Sequence, residues 1–267
     1  MNEVLNETLL ERKRVRTAFD RAAARYDSAA GLQRRAAERL LTHVQASGVQ
    51  PETILDAGCG TGYGARLLAS VWPEAALYCL DLAPAMVLQA RSECGTGPAY
   101  VCADAEHLPM RESSIDLLWS NAMLQWCNDL DTVFGNFARV MRPGALLAFT
   151  TFGPATLGEL RAAFDDGYTH VSRFPGAAQI EDALLRAGFR DIALESRKTV
   201  LHYPDVPALM RSIKTIGAGN ATAGRARGLT GKGRWQAMIA RYERLRTERG
   251  LPATYELLYG TARGMKA

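Results

Sequence analysis

Three aspartates and a run of glycines are the first candidates for a binding or catalytic site in this chain of 267 residues. Asp56 opens the stretch "DAGCGTGYG", and Asp81 and Asp104 each end a later apolar run. Glycine loses more conformational entropy on folding than other residues, so a cluster of glycines indicates a tight turn or a ligand pressed against the backbone. Carboxylates beside such a turn would suit a ligand that carries positive charge and hydroxyl groups.

Two classes of nucleoside ligand use a strand, a glycine turn and a helix in this way. Dinucleotides need the pattern G-x-G-x-x-G/A, which is present from Gly60 to Ala65, so that pyrophosphate meets the helix N-terminus. Asp56 would then repel the pyrophosphate, whereas an acid followed by G-x-G-x-G favours S-adenosylmethionine, which carries an ammonium and a sulfonium. A structural alternative stays open for Asp81 and Asp104, because aspartate often caps a following helix.

Five apolar runs separated by helical patterns must position these residues. We predict buried strands over residues 53–59, 77–82, 99–104, 114–122 and 145–152, with helices between them. Continuous apolar strands of this kind are typical of a parallel sheet covered by helices on both faces. Since ligands bind beyond the carboxyl ends of such strands, the three aspartates are expected at one edge of the sheet.

The two ends of the chain follow other patterns. The first fifty residues are predicted to be helical, while 191–203 and 253–262 are predicted as the last two strands of the same sheet. The simplest topology makes the final strand antiparallel, with the segment between these strands inserted at the ligand-binding edge. The expected parts are a helical cap (1–50), the core (51–203), a basic lid (204–250), and the last strand with the C-terminus (251–267).

The stretches "ILDAGCGTGYGARLLA", "LYCLDLAPAMVLQAR", "CADAEHLPMRESSIDLLWSNAMLQWCNDL" and "VMRPGALLAFTTFG" resemble the successive motifs of class I S-adenosylmethionine-dependent methyltransferases. The resemblance covers most of residues 53–153. It implies an α/β fold with a Rossmann-like seven-stranded sheet, mostly parallel with the last strand antiparallel, and helices on both faces. It also implies S-adenosylmethionine as the donor and S-adenosylhomocysteine as the product.

The same resemblance implies where the donor binds. The implied positions are Asp56, Gly58 and Gly60 at the methionine end, Asp81 and Leu82 at the ribose, Asp104 and Ala105 at the adenine, and Asn121 beneath the methyl group. Tyr26, on the predicted N-terminal helix, is a further candidate for a hydroxyl contact at the methionine end, with simple packing as the alternative.

The residues after the fourth predicted strand bear on the methyl acceptor. Amine and RNA-base acceptors in this family often meet an Asn/Asp-Pro-Pro-aromatic tetrapeptide there, whereas this chain has Ser120-Asn121-Ala122-Met123. A carboxylate acceptor fits an apolar site without a histidine, because a carboxylic acid is already ionised at neutral pH. Basic side chains would hold that anion, and the candidates are Arg173, Arg211 and Lys214, with a solvated surface position as the alternative for each.

The predicted lid carries an unusual concentration of positive charge. Residues 204–250 hold ten basic and three acidic residues, a net charge of +7, whereas the whole chain carries +4. Such a segment beside the donor site predicts a large acidic partner or an anionic substrate. A solvated helical face is the alternative.

Stretches along nearly the whole chain, including "FDRAAARYD", "SRFPGAAQIEDALLRAGF", "LMRSIKTIGAGNA" and "ATYELLYGTARG", are similar to the malonyl-acyl-carrier-protein O-methyltransferases of biotin synthesis. That resemblance implies methyl esterification of the free malonyl carboxylate on an acyl carrier protein, as a primer for pimeloyl synthesis. Two other functions stay open: a small-molecule carboxylate methyltransferase of the trans-aconitate type, and a basic RNA-binding or non-catalytic S-adenosylmethionine-binding protein.

Cysteine usage and hydropathy predict the compartment. Five scattered cysteines, with no C-x-x-C and no metal-like spacing with the histidines, indicate a reducing environment. No 18 apolar residues run together, and the N-terminus lacks a signal-peptide core. We therefore expect a cytoplasmic monomer with no metal, no membrane partner and no nucleic-acid partner.

Overall fold

Seven strands form one sheet in the computed structural model, which describes residues 10–164, 172–216 and 231–264. The strands are β1 (Thr53–Ala57), β2 (Ala76–Asp81), β3 (Ala99–Cys102), β4 (Ile115–Asn121), β5 (Met141–Phe152), β6 (Arg190–Tyr203) and β7 (Leu251–Arg263). Their order is β3-β2-β1-β4-β5-β7-β6, and the first five pair in parallel. β7 is antiparallel to both of its neighbours, so β6 runs parallel to β5. The predicted fold class is confirmed.

Helices cover both faces of the sheet. In chain order they are α1 (Arg12–Ala29), α2 (Gly31–Ala46), α3 (Tyr63–Val71), α4 (Pro84–Cys94), α5 (Leu130–Val140), α6 (Gly158–Ala163), α7 (Ala177–Arg186), α8 (Val206–Thr215) and α9 (Lys232–Glu243). Side chains of α2 and α3 pack on one face of the strands, and those of α5 and α7 pack on the other. No helix in the described ranges is long and apolar enough to span a bilayer.

Several strands differ from their predicted limits, most clearly at the start of β5 and the end of β3. β5 begins at Met141, directly after α5, because Met141 already pairs with Ile115 before the register shifts at the Arg142-Pro143-Gly144 segment. Proline is compatible with extended backbone at such an irregularity, although it cannot donate to the ladder. β3 ends at Cys102 rather than at Asp104, so Asp104 lies in the following loop, where its side chain caps a short 3₁₀ turn.

The topology places the segment predicted to be a basic lid at the edge of the sheet where the parallel strands end. β6 ends at Tyr203, and α8 follows it at the rim where parallel strands present their carboxyl ends. The Tyr203 hydroxyl lies 3.0 Å from Ser212 Oγ, and the buried Tyr242 of α9 donates to the Pro252 carbonyl at 2.9 Å. These contacts join the lid helices to β6 and β7. Residues 217–230, with the predicted lid cations Arg225 and Arg227, lie outside the described residues, as do the two chain ends.

A glycine in β7 sets how closely that strand can approach the buried ring of Phe149 on β5. A Cβ at Gly260 would lie 2.2 Å from Cζ of Phe149. We expect Gly260→Ala to lower the free energy of unfolding by about 1–3 kcal/mol, the usual cost of overpacking a core. Denaturant titration would measure it.

Gly135→Ala is the matched control for that substitution. Gly135 is exposed in α5, and a Cβ there would meet no atom within 4 Å. Because alanine is a better helix former by about 1 kcal/mol, this variant should be at least as stable as the parent. Equal losses of stability in both variants would show that Phe149 does not limit the space at Gly260.

Candidate functional site

The glycine bend after β1 brings backbone to the carboxyl edge of the sheet. Gly58 and Gly60 adopt φ angles of +82° and +53°, a left-handed conformation that glycine adopts without steric cost. A Cβ at Gly58 would lie 2.4 Å from Cγ of Met123, so the loop after β4 leaves no space for a side chain. The amides of Gly58 and Cys59 donate to the Leu80 carbonyl at 2.7 and 2.9 Å, which ties the bend to β2.

Asp81 ends β2 with both carboxylate oxygens held by backbone amides. The Gly60 amide donates to Oδ2 at 3.0 Å, and the Ala83 amide donates to Oδ1 at 2.8 Å. Burial raises the pKa of Asp81 to about 6, although these hydrogen bonds act in the opposite direction. An ionised carboxylate offers about four acceptor sites, so Asp81 can still accept a hydrogen bond from a hydroxyl group such as those of ribose.

Asp56 is a buried carboxylate with incomplete hydrogen bonding. The Ala65 amide donates to it, yet Oδ2 has no partner among the described residues, and neither has the nearby Trp119 Nε1. A Cβ at Gly64 would lie within 3.0 Å of both of these atoms, so Gly64 leaves them space. Burial, together with the charge of Asp81, raises the pKa of Asp56 to about 8. An ammonium group would pair the free oxygen and favour the ionised carboxylate.

Two adjoining cavities meet at the glycine bend. Their empty volumes are about 600 and about 410 Å³, including space that is open to solvent. All but one of the predicted donor-binding residues line them: Asp81, Leu82 and Ala105 the larger cavity, Asp56 the smaller, and Tyr26, Gly58, Gly60 and Asn121 both. The exception is Asp104. The arrangement fits a nucleoside in the larger cavity and a charged amino-acid end in the smaller one.

Helix α1 forms a wall of the larger cavity. Arg12, Val15, Phe19 and Tyr26 line it from one stripe of the helix, and the Phe19 ring meets Trp126 edge-on at 5.1 Å. The stripe follows the spacing of residues that share a helix face.

Polar contacts fasten α1 around the cavity at three places. The Ala85 amide donates to Asp20 Oδ1 at 3.0 Å, at the start of α4. Thr61 Oγ1 of the glycine bend donates to Asp27 Oδ1 at 2.7 Å. Arg12 makes the third contact at the opposite end of the helix.

Arg12 forms an ion pair with the carboxylate that is expected to recognise adenine. Its guanidinium pairs with both oxygens of Asp104 and donates from Nη1 to the Trp126 carbonyl at 2.7 Å. The Glu106 amide also donates to Asp104 Oδ1, at 2.9 Å, so Oδ2 retains more capacity to accept. Asp104 therefore acts here as a partner of Arg12 and as a cap, and its adenine contact stays a prediction.

The side chain of Asn121 is held on both sides at the floor of the site. Its Nδ2 donates to the Gln33 carbonyl at 3.1 Å, and its Oδ1 accepts from Thr150 Oγ1 at 2.7 Å. The next residue, Ala122, has a φ of +53°, and its amide donates to the carbonyl and hydroxyl oxygens of Thr150. These contacts fix the turn after β4 against β5, below the junction of the two cavities.

Tyr26 and Arg34 bring polar groups to the smaller cavity. Burial, with the charges of Asp81 and Asp27, raises the pKa of Tyr26 well above its usual value, so its hydroxyl keeps its proton and can donate. Arg34 lies 3.5 Å from Asp27 and stacks over the Tyr63 ring at 5.4 Å. Its Nε is buried without a partner among the described residues, which fits a ligand carboxylate.

Sequence reasoning missed Arg12, Met123 and Arg34. The helical spacing of Arg12 with Phe19 and Tyr26 was a signal for the first. Met123 belongs to the tetrapeptide considered for the acceptor, but its contact with Gly58 was not predicted, and no sequence pattern marked Arg34.

The three predicted acceptor-binding residues lie outside both cavities. Arg211 and Lys214 are exposed on α8, and Arg211 Nη2 lies 3.9 Å from the Asp205 carboxylate. Arg173 is also exposed, next to Phe174, whose ring packs on Phe152 at 5.6 Å near the end of β5. The structure thus brings the three cations to the rim elements but not into the cavity walls, and their roles stay predictions.

Comparison with known proteins relates this fold and site to characterised families. A model of the methyltransferase domain matches residues 55–149. The chain is 48% identical to a malonyl-[acyl-carrier protein] O-methyltransferase of Laribacter hongkongensis, over 94% of this chain and 89% of that protein. It is 47% identical to a protein of the same name from Methylovorus sp., over 95% of this chain and 89% of the relative.

Solved structures agree with the fold. The YcgJ protein of Bacillus subtilis superposes with a TM-score of 0.61 at 13% identity, over 85% of this chain and 98% of that chain. At this identity the likeness concerns the fold alone.

Asp81→Asn should weaken donor binding. The amide nitrogen of Asn would face a backbone N–H, and the neutral side chain would lose charge-assisted bonds to the ribose, worth about 1.5–3 kcal/mol. We expect the Kd of S-adenosylhomocysteine to rise roughly 10- to 100-fold by calorimetry. Asp131→Asn, which alters an exposed ion pair with Arg186, is the control and should bind normally. Unchanged affinity in the Asp81 variant would remove Asp81 from the donor site.

Donor affinity should depend on pH through both buried carboxylates. Binding favours their ionised forms, so their pKa values fall in the complex and protons are released. The Kd should therefore rise as pH falls through about 8, where Asp56 takes up a proton, and more steeply below about 6, where Asp81 does. Calorimetry between about pH 5 and pH 8 in buffers of different ionisation enthalpy would measure both effects.

Asp56→Asn separates the two contributions to that profile. It should remove the pH dependence above about 6, and below that pH it should leave a shallower slope than in the parent, because only Asp81 then takes up a proton. A flat profile for the parent protein would contradict the ionisation of these carboxylates on binding.

Proposed function

Because this chain belongs to the malonyl-[acyl-carrier protein] O-methyltransferase family, we propose that it methylates the free carboxylate of malonyl-acyl-carrier protein. The donor is S-adenosylmethionine, and the product is the malonyl methyl ester, still attached to the carrier protein. The observation that carries the donor assignment is the unpaired Oδ2 of Asp56 in the smaller cavity, beside the diol-binding position of Asp81.

The residues of the two cavities divide the binding of the donor among them. Asp81 accepts from the ribose hydroxyls, with Leu82 and Ala105 on the apolar walls of the larger cavity. Asp56 meets the ammonium group in the smaller cavity, and Arg34 offers a guanidinium there for the carboxylate. Tyr26, Gly58, Gly60 and Asn121 stand where the cavities adjoin, which is the position of the reacting centre.

The chemistry needs alignment rather than a base. When bound, S-adenosylmethionine supplies a methyl group from its sulfonium: a carboxylate oxygen forms the new bond to carbon, the bond to sulfur breaks, and both charges disappear. No proton leaves the acceptor, since a carboxylic acid is ionised at neutral pH. Among the described residues no histidine lines either cavity, in keeping with an acceptor that needs no deprotonation. The protein's contribution is to hold the reactants in line and to exclude water.

We assign the malonyl carboxylate to basic side chains of the rim. Arg211, with Lys214 one turn further along α8, is the first candidate, and Arg173 is the second. These side chains are exposed and lie outside the cavity walls. When the malonyl carboxylate binds, either the acceptor must reach them or the segments that carry them must move towards the cavity.

The family resemblance also implies how the product is used and in which compartment the reaction takes place. The ester hides the malonyl charge, so that enzymes of fatty-acid synthesis can elongate the chain towards the biotin precursor. We propose a monomer that works in the cytoplasm without nucleic acid. Its five cysteines are unpaired, which suits a reducing compartment.

Incubating the protein with malonyl-acyl-carrier protein and S-adenosylmethionine should add the mass of one methyl group to the carrier, measured by mass spectrometry of the intact protein. Free trans-aconitate and malonate, and tRNA, are the parallel substrates. Turnover of a free acid equal to that of the carrier-bound malonyl group would favour a small-molecule carboxylate methyltransferase. Tight, salt-sensitive binding of tRNA without carrier methylation would favour an RNA-binding protein.

Arg211→Ala should lower kcat/KM for malonyl-acyl-carrier protein by about 10-fold or more, because a charge-assisted hydrogen bond to the carboxylate contributes about 1.5–3 kcal/mol. The Kd of S-adenosylhomocysteine should not change. Arg186→Ala, at an exposed position of α7, is the control. If Arg211→Ala retains full kcat/KM while Arg173→Ala loses it, the carboxylate is held at Arg173 instead.

A further inference from the structure

The solvent-facing side of α1 carries basic side chains that play no part in packing the helix. Residues 12–29 contain six basic and two acidic residues, a net charge of +4 that equals the charge of the entire chain. Lys13, Arg21 and Arg25 are exposed, and their side chains make no hydrogen bond or ion pair with any described residue. A helix needs no such uncompensated set of cations to fold, and like charges at i,i+4 are slightly destabilising.

The acidic side chains of α1 do not offset these cations at the surface, because they are turned towards the protein. Asp20 accepts from the Ala85 amide, and Asp27 accepts from the Thr61 hydroxyl. The same helix therefore presents its carboxylates to the elements around the donor cavity and its free cations to solvent. This separation makes the outer side of α1 strongly basic.

Helix α8 extends the basic surface. It packs against α1, and Arg211 and Lys214, at i and i+3, are exposed on it. Residues 206–215 contain no acidic side chain. The nearest paired acid is Asp205, whose Oδ1 caps the helix by accepting from the Ala208 amide at 2.6 Å. We define Lys13, Arg21, Arg25, Arg211 and Lys214 as the two-helix basic face; its α8 residues are also the ones proposed to hold the malonyl carboxylate, so the docking role rests on the three α1 residues.

Helix α1, which carries three residues of the two-helix basic face, lies against the larger cavity, whereas α9 of the lid does not. The inner stripe of α1 lines the larger cavity, and an α-helix with its side chains is about 10 Å across. A protein resting on the outer side would thus be about one helix diameter from the reacting centre, a distance that a flexible prosthetic arm can span. Helix α9 packs instead against α6, and its Arg241 donates to the Ala163 carbonyl at 2.7 Å.

We propose that the two-helix basic face is the docking surface for the acidic carrier protein that delivers the malonyl group. The inference rests on the proposed function and refines it: the partner binds α1 as well as the lid, and does so across the roof of the donor cavity. Charge complementarity supplies the attraction, which steers the encounter and weakens as salt is raised.

The test is a charge reversal on α1, Arg21→Glu with Arg25→Glu. Both side chains are exposed and unpaired, and neither residue lines a cavity, so folding and donor binding should be unaffected. We expect the Kd for malonyl-acyl-carrier protein, measured by fluorescence anisotropy, to rise by about 10-fold or more, with a shallower salt dependence. The KM for the carrier substrate should rise in parallel, while kcat stays unchanged.

Two controls isolate the docking role. Arg244→Glu with Arg249→Glu makes the same change of charge at exposed positions after α9, and should change carrier affinity by less than about 2-fold. Malonyl-pantetheine, which has no carrier protein, should be methylated equally well by the parent and the α1 variant. A lower melting temperature or a weaker affinity for S-adenosylhomocysteine in the α1 variant would indicate a structural role and overturn the proposal.

Other outcomes also decide the question. Unchanged carrier affinity in the α1 variant, or an equal loss in the α9 variant, would show that the two-helix basic face is not the docking surface. Loss of tRNA binding with carrier binding unchanged would assign the face to nucleic acid instead. If the parent protein fails to methylate malonyl-acyl-carrier protein, the proposed function is wrong, and the binding measurement alone then decides whether the face holds the carrier.

Discussion

A carboxylate buried beside a bend of bare backbone is the constraint on which the donor site depends. Asp56 lies at 1% exposure with one oxygen unpaired, and burying an unpaired charge costs several kcal/mol. In the free protein that cost appears as a raised pKa, and a cationic ligand would offset it. The left-handed glycines after β1 and the missing side chain at Gly64 provide the space for such a ligand.

Helix α1 closes the site and also pairs with one of the carboxylates that were expected to bind the ligand. Its inner stripe closes the larger cavity, while its carboxylates bind the start of α4 and the glycine bend. Arg12 pairs with Asp104, so the position expected to read adenine is coupled to the placement of the N-terminal helix. The ordering of α1 and the shape of the donor cavity are therefore linked, since the same contacts determine both.

The order of the last strands explains how a basic lid can reach this site. β7 lies between β5 and β6 and is antiparallel to both, so the chain must leave β6 at the carboxyl edge and return to start β7 there. Any segment inserted between them stands at the rim of the donor cavities. Residues of α8 and its neighbours can then differ without altering the sheet edge where the donor is proposed to bind.

The amino-acid sequence alone determined the sheet, the glycine bend and the positions of Asp56 and Asp81, because local patterns specify them: apolar runs, glycines at a tight turn and an acid ending a strand. The partners of these residues were decided by tertiary structure. Asp104 meets Arg12 across 92 positions of sequence, Arg34 reaches the site from a helix with no local motif, and Met123 approaches Gly58 through the fold of the loop after β4. The exposure of Arg211 likewise follows from how α8 packs. Contacts between distant residues arise from the packing of whole elements, which periodicity and spacing do not encode.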